Sequence, residues 1–392
     1  MKKLADGLAL FLSALVIGAL CGVVGAAFAK SIVLVTELRE KYSFIIFMLP
    51  LGGLASVALY KLAKTEEIGT NRALQSARGE AHTPIILVPV IFVATVITHC
   101  FGGSAGKEGA ALQIGSGAAE LVSKITKADS ERRSVLTVCG MAALFSAAFG
   151  TPAGACVFAA EVAFAGSVNV MAAVPALMSS VVAYLISTAL GIAPERFHIN
   201  RVPDTDVFVL LKTLAVAALV AFVSAAFCHI HHKSKSLAEK VCKNPFLRIV
   251  VGSCIVIILT LVFGKDYNGG GIAVIERAFE TDTVRPEAFL LKIIFTAVTI
   301  AAGFKGGEIV PSLFIGSTLG GFLSQFFGLP CGFGAAVGMI AFFSGVTNCP
   351  LASAVIAVEL FGTDGFLLFA VSAFVAKAVS GKISLYNEKT LT

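Results

Sequence analysis

Apolar residues run along this chain in long blocks separated by glycine, proline or short polar breaks. In the first half the blocks fall near residues 8–29, 44–63, 85–100, 108–122, 134–148, 152–166 and 170–191, and a comparable series occupies 207–379. About 20 apolar residues span a hydrocarbon core of roughly 30 Å, so the pattern predicts an all-α polytopic membrane protein. Several blocks are too short to cross and are broken at Gly102, Gly106, Pro152, Gly306, Pro311 and Pro350. Such interruptions predict half-membrane helices that meet inside the bilayer.

The chain repeats itself. GMAALFSAAFGTPAGACVFAAEV from Gly140 matches GMIAFFSGVTNCPLASAVIAVEL from Gly338 at a constant offset of 198, including Ser146 with Ser344, Pro152 with Pro350 and Glu161 with Glu359. A second pair of blocks aligns at offset 201, with Gly102, Gly106, Leu112, Gly115 and Ser116 against Gly303, Gly307, Leu313, Gly316 and Ser317. Two matched blocks in one order predict a duplicated architecture. The expected halves are 1–192 and 207–380, with 193–206 as an extracellular connection and 381–392 as a terminal short helix or tail. An odd number of spans in each half inverts the second.

Composition removes whole classes of function. Of 392 residues, 57% are hydrophobic and only 14% charged, too few to cover a soluble surface of that size. A soluble enzyme and a single-anchor receptor are both excluded. The net charge of +6 is spread over short loops and reads as a topology signal, not as a nucleic-acid footprint. The most basic loop, from His231 through Lys235, Lys240 and Lys243 to Arg248, is expected on the cytoplasmic side together with Lys2 and Lys3. Leu8 to Ala29 is too long for a signal-peptide core and is expected as a retained first span. The nine cysteines stand singly among apolar residues, as small hydrophobes do. His229, His231 and His232 have no Cys or carboxylate placed to complete a metal shell, so neither a metal nor a cofactor is expected. HExxH motifs, facing Ser/His pairs and paired intramembrane aspartates are missing, which argues against an enzyme.

Intramembrane acids are costly, and each calls for a role. Glu108, in GGSAGKEGAALQIGS, follows a glycine cluster at the start of a helical block. The free N–H groups and positive dipole end of such a helix attract an anion, and they attract the Glu108 carboxylate as well. Protonation of Glu108 would release it and admit the anion; the bland alternative is a helix cap paired with Lys107. Glu308, in GFKGGEIVPSLFIGS, sits in the matching break and is either a proton relay or a cap. A third break, EEIGTNRALQ from Glu66, sets Thr70 and Asn71 at a helix start, where a hydroxyl and an amide donate to an anion or merely cap. Tyr386, past the last apolar block, is a donor to a permeating ion or an interfacial anchor. Glu161 and Glu359 are expected to pair structurally at helix ends.

Taken together these segments resemble the CLC family of chloride channels and proton-coupled anion exchangers over almost the whole chain. GKEGAALQ resembles the family's G(K/R)EGP segment, which implies that Glu108 is the external gating glutamate, flanked by Gly106 and Lys107. GGEIVP resembles the GxFxP segment, which implies that Ile309 and Val310 offer backbone amides to the anion. GTNRA stands at the GSGIP position, with Thr70 in place of the pore serine, and Tyr386 matches the pore tyrosine. The family implies an all-helical homodimer in the cell's plasma (inner) membrane, with halide anions and protons as its partners. The departures point to a branch. The inner proton-transfer glutamate of chloride/proton exchangers falls on Val162, whereas Asn71 and the acidic Glu308 resemble the bacterial fluoride/proton antiporters, where the GGE glutamate supplies the inner proton step. Those antiporters commonly carry a hydroxyl two residues later, where this chain has Val310. The expected function is fluoride (or chloride) exchange for protons, with a passive channel as the alternative.

Overall fold

A computed structural model describes residues 2–65, 69–164, 170–281 and 283–386. Among the described residues the chain is all-helical, with sixteen α-helices and no strand. In the first half these are α1 (Lys2–Lys41), α2 (Leu49–Leu62), α3 (Thr70–Ala77), α4 (Leu87–Cys100), α5 (Glu108–Ile125), α6 (Ser130–Phe149), α7 (Pro152–Val162) and α8 (Val170–Ala189). The second half holds α9 (Val207–Val241), α10 (Pro245–Phe263), α11 (Ile272–Glu280), α12 (Ala288–Ala302), α13 (Ile309–Phe327), α14 (Cys331–Thr347), α15 (Pro350–Phe361) and α16 (Phe366–Ser380).

Among the described residues six helical segments are long and apolar enough to cross a membrane, including Gly7–Lys41, Val207–Val241, Pro245–Phe263 and Ile309–Phe327. Others fall short: the 11 residues of α7 reach only about 16 Å at the helical rise of 1.5 Å per residue. The expected mixture of full and partial spans is present. The outermost helices carry apolar side chains on their free faces, as lipid requires. Along α10 the exposed set Leu247, Val251, Ile255, Ile258 and Val262 recurs at helical spacing, whereas α14 is buried along almost its whole length.

The chain falls into two compact units that are discontinuous in sequence. The first comprises residues 1–34, 59–96 and 107–195; the second comprises 35–58, 97–106 and 196–392. Inside each unit the duplicated blocks fold alike. In the first, α5 packs on α6 where a side chain on Gly115 would collide with the carbonyl of Gly140, and the reverse. In the second, α13 packs on α14 through Gly316 and Gly338, the repeat partners of that pair, with the same mutual exclusion. Backbones approach this closely only without Cβ atoms, and dispersion is then the main attraction available between helices in lipid. Serine hydroxyls repeat the correspondence: Ser146 donates to the carbonyl of Ser180 at 2.8 Å, and its counterpart Ser344 to that of Ala373 at 2.7 Å.

The breaks repeat as well. α6 ends at Gly150 and α14 at Asn348, both left-handed with φ of 82° and 61°, and each is followed two residues later by Pro152 or Pro350 opening the next helix. Glycine or asparagine at the stop and proline at the first helical position are the residues these geometries favour. α4 and α12 close with matched turns, Gly103 N–H to Thr98 at 2.9 Å and Phe304 N–H to Thr299 at 3.3 Å, across Gly102 and Gly303 at positive φ.

One expectation is corrected. The basic stretch from His231 is not a loop, because α9 continues to Val241 and only Cys242–Asn244 separate it from α10. The run SKSLAEK contains no glycine or proline to stop a helix, so charge ends the apolar segment without ending the helix. Residues 381–386 form turns, and 387–392 lie outside the described residues, as do Glu66 and its two neighbours ahead of α3.

Gly338→Val should cost about 3 kcal/mol, the upper range for overpacking, read as a lower unfolding midpoint in detergent. Gly7→Ala, whose Cβ would meet nothing within 4 Å, should be neutral or slightly stabilising.

Candidate functional site

The three breaks singled out in the sequence each open a helix, at Thr70, Glu108 and Ile309, and none of these starts is capped by a hydrogen bond from its N-cap side chain. Their first-turn N–H groups have no partner within the helix, which is the electrostatic requirement for holding an anion.

In the first unit, Glu108 is the first residue of α5 and is fully buried at 0% exposure. Both of its carboxyl oxygens lack a hydrogen-bond partner among the described residues. The Lys107 ammonium lies 3.3 Å from Glu195. One and a half turns along α5, Gln113 donates from Nε2 to the Thr70 hydroxyl oxygen at 3.2 Å and to the Gly109 carbonyl at 3.3 Å. That bond leaves the Thr70 proton available as a donor. Asn71 follows it with a buried, unpaired Oδ1. Val162 sits buried at the last turn of α7.

In the second unit, Gly106 and Gly307 form an antiparallel bridge, each N–H donating to the other's carbonyl at 2.7 Å. Each stands two residues ahead of a helix start, α5 for Gly106 and α13 for Gly307. A Cβ on Gly306 would come within 2.6 Å of the Ala105 side chain and 3.1 Å of the Gly106 carbonyl, so the segment admits little but glycine there. Ile309 and Val310 are buried in the first turn of α13. The Val310 side chain packs toward Gly270, leaving its backbone N–H as what it offers at the helix start.

Glu308 precedes α13, and its carbonyl accepts from the Ser312 amide and hydroxyl at 2.9 and 2.7 Å. Its carboxyl, little exposed, lies with Oε1 3.6 Å from Nε2 of His231 on α9. Tyr386 is held by a tail pinned at several points. The Leu385 amide donates to Val346, Asn348 Nδ2 to Ile383, and His232 Nε2 to Ser384 at 2.9 Å. Lys377 fixes Asn348 in turn, at 2.7 Å. The Tyr386 hydroxyl is buried.

Sequence reading missed Gln113 and the partnership of His231 with Glu308. The signal for His231 was present: the buried positions of α9, among them Val220, Ser224, Phe227 and Cys228, recur at helical spacing and continue onto it. Among the described residues no group of three metal-binding side chains occurs. Glu161 and Glu359 lie in the last turns of α7 and α15, and the Glu359 carbonyl accepts from Arg196 at 2.8 Å.

Residues 51–381 match the family profile described as voltage-gated chloride channel. A chloride/fluoride channel protein of Pseudomonas syringae pathovar tomato is 30% identical over 377 residues, covering 94% of this chain and 83% of its own length. The crystal structure of a CLC-type fluoride/proton antiporter matches with a TM-score of 0.93 and 32% identity, covering 96% of both chains. A slow cyanobacterial chloride/proton antiporter shares the fold, with a TM-score of 0.83 at 19% identity and 96% coverage of both.

A buried carboxyl without a partner costs about 1–3 kcal/mol. Glu108→Met should therefore raise the unfolding midpoint in detergent, and an unchanged or lower midpoint would show that the carboxyl is satisfied.

Proposed function

The chain belongs to the voltage-gated chloride channel family, and on that premise we propose that it moves fluoride or chloride, with fluoride the preferred reading, across the membrane in exchange for protons. The observation that carries this reading is Glu108: a buried, unpartnered carboxyl at the first position of an uncapped helix. A charged Glu108 fills the attractive field of that helix start. A protonated one no longer does, and the place is open to a dissolved anion. Proton arrival and anion arrival are then alternatives at one place, which is the physical content of exchange. Thr70, Asn71 and Lys107 in the first unit, and Gly106, the backbone of Ile309 and Val310, and Tyr386 in the second, are the proposed anion-binding residues of their own units, and Glu308 is the second proton station.

The similarity to a CLC-type fluoride/proton antiporter over almost the whole chain supports the choice of ion and of coupling. The proposed arrangement is two inverted halves, assembled as a homodimer in the plasma membrane with the Lys2-Lys3 terminus and the basic end of α9 on the cytoplasmic side.

A passive channel is the second reading, favoured by Val162, which offers no proton acceptor where the family's chloride exchangers carry a glutamate. Anion flux alone does not separate the two. Expelling one anion from a negative interior is favoured by about 2.3 kcal/mol per 100 mV, so a pore would also export.

Reconstituted protein loaded with fluoride or chloride should drive protons uphill as the anion leaves, read with an external pH probe, and flux without proton movement under a steep anion gradient would establish the channel. Glu108→Gln is expected to abolish proton movement. Glu308→Gln should abolish it too, with anion flux altered or lost, and coupling retained in that variant would remove Glu308 from the proton path.

A further inference from the structure

Glu308 needs a route by which its proton leaves, and the polar group beside its carboxyl is His231. The ring is 7% exposed and sits at the end of the buried stripe of α9, with Phe227 packed near it at 6.3 Å. Nε2 is 3.6 Å from the Glu308 carboxyl, one small side-chain rotation or one water from a hydrogen bond. The other nitrogen, Nδ1, is buried without a hydrogen-bond partner among the described residues. A histidine kept only to brace a carboxylate would ordinarily have its second nitrogen tied to a carbonyl, as His232 does to Ser384 at 2.9 Å. His231 has one nitrogen on the acid and one unpartnered, the arrangement of a group that takes a proton on one side and gives it up on the other.

We propose that His231 is the proton-transfer partner of Glu308, receiving its proton and passing it toward the basic end of α9. The proposal rests on the exchange reading above and adds a residue to it. In the step, the O–H bond of the Glu308 carboxyl breaks and an N–H bond forms at Nε2, leaving a carboxylate and an imidazolium. Loss of the Nδ1 proton to water then returns a neutral ring of the other tautomer, and exchange of protons with water resets it. The other charged or titratable groups that act on His231 are His232, whose ring centroid is 5.5 Å away, and Lys235 one turn further along α9.

The test compares wild type, His231→Gln and His231→Ala in liposomes, measuring anion efflux and proton movement together. Proton flux relative to anion flux should fall on the order of a hundredfold in both variants, the lower end of what a positioned acid–base group supplies. Added imidazole should restore it in His231→Ala, which a purely structural role would not produce. A flux ratio equal to wild type in both variants overturns the role of His231 while exchange stands. Loss of both fluxes that imidazole does not restore also overturns it. A wild-type protein that moves no protons overturns exchange and the relay together.

Discussion

Two backbone hydrogen bonds between Gly106 and Gly307 hold the most consequential position in this fold. The residues are 201 apart, the same offset that aligns the surrounding repeat blocks, so the bridge joins a residue to its own duplicate. An antiparallel pair that exchanges both bonds has local two-fold symmetry. Irregular backbone at membrane depth survives only when its polar groups are satisfied by protein, and here each break satisfies the other. Neither break can relax independently of the other. The glycines around them follow from the closeness of approach, as at Gly306, where even a methyl group would strike Ala105.

Ending a helix inside a membrane leaves a cluster of N–H groups with no water to satisfy them. Glu108 meets that field at the start of α5 at the cost of burying a carboxyl with no specific partner. Its neighbour Lys107 is paired with Glu195. An acid held mainly by charge can give up its place to another anion once it is protonated. A well-capped, salt-bridged glutamate could not be displaced so readily. Stability given up at this residue is thus the condition for the proposed function.

Glu308 occupies a different setting although it stands in the matching break. It precedes α13 rather than opening it, its carbonyl is secured by Ser312, and its carboxyl is directed at an imidazole on α9. The duplicated frame places two acids next to two helix starts, and their surroundings differ: the Glu108 carboxyl has no hydrogen-bond partner among the described residues, whereas that of Glu308 lies beside His231. Tyr386 is positioned by still other means, through a short tail tied to His232 and Asn348.

Much of this was legible in the chain. Block lengths and the scarcity of charge determined an all-helical membrane protein, internal offsets determined the repeat, and Pro152 and Pro350 marked the breaks at which α7 and α15 start, because these are local properties of residue type and spacing. Thr70, Glu108 and Ile309 could be assigned to helix starts for the same reason. What the sequence could not supply was partnership. That Lys107 turns to Glu195, that Gln113 reaches Thr70, that α9 runs on through its basic residues, and that His231 meets Glu308 from 77 positions away depend on helix packing over long sequence separations. Hydrogen bonds and ion pairs act over a few ångströms, and only the tertiary fold decides which distant residues come within that range.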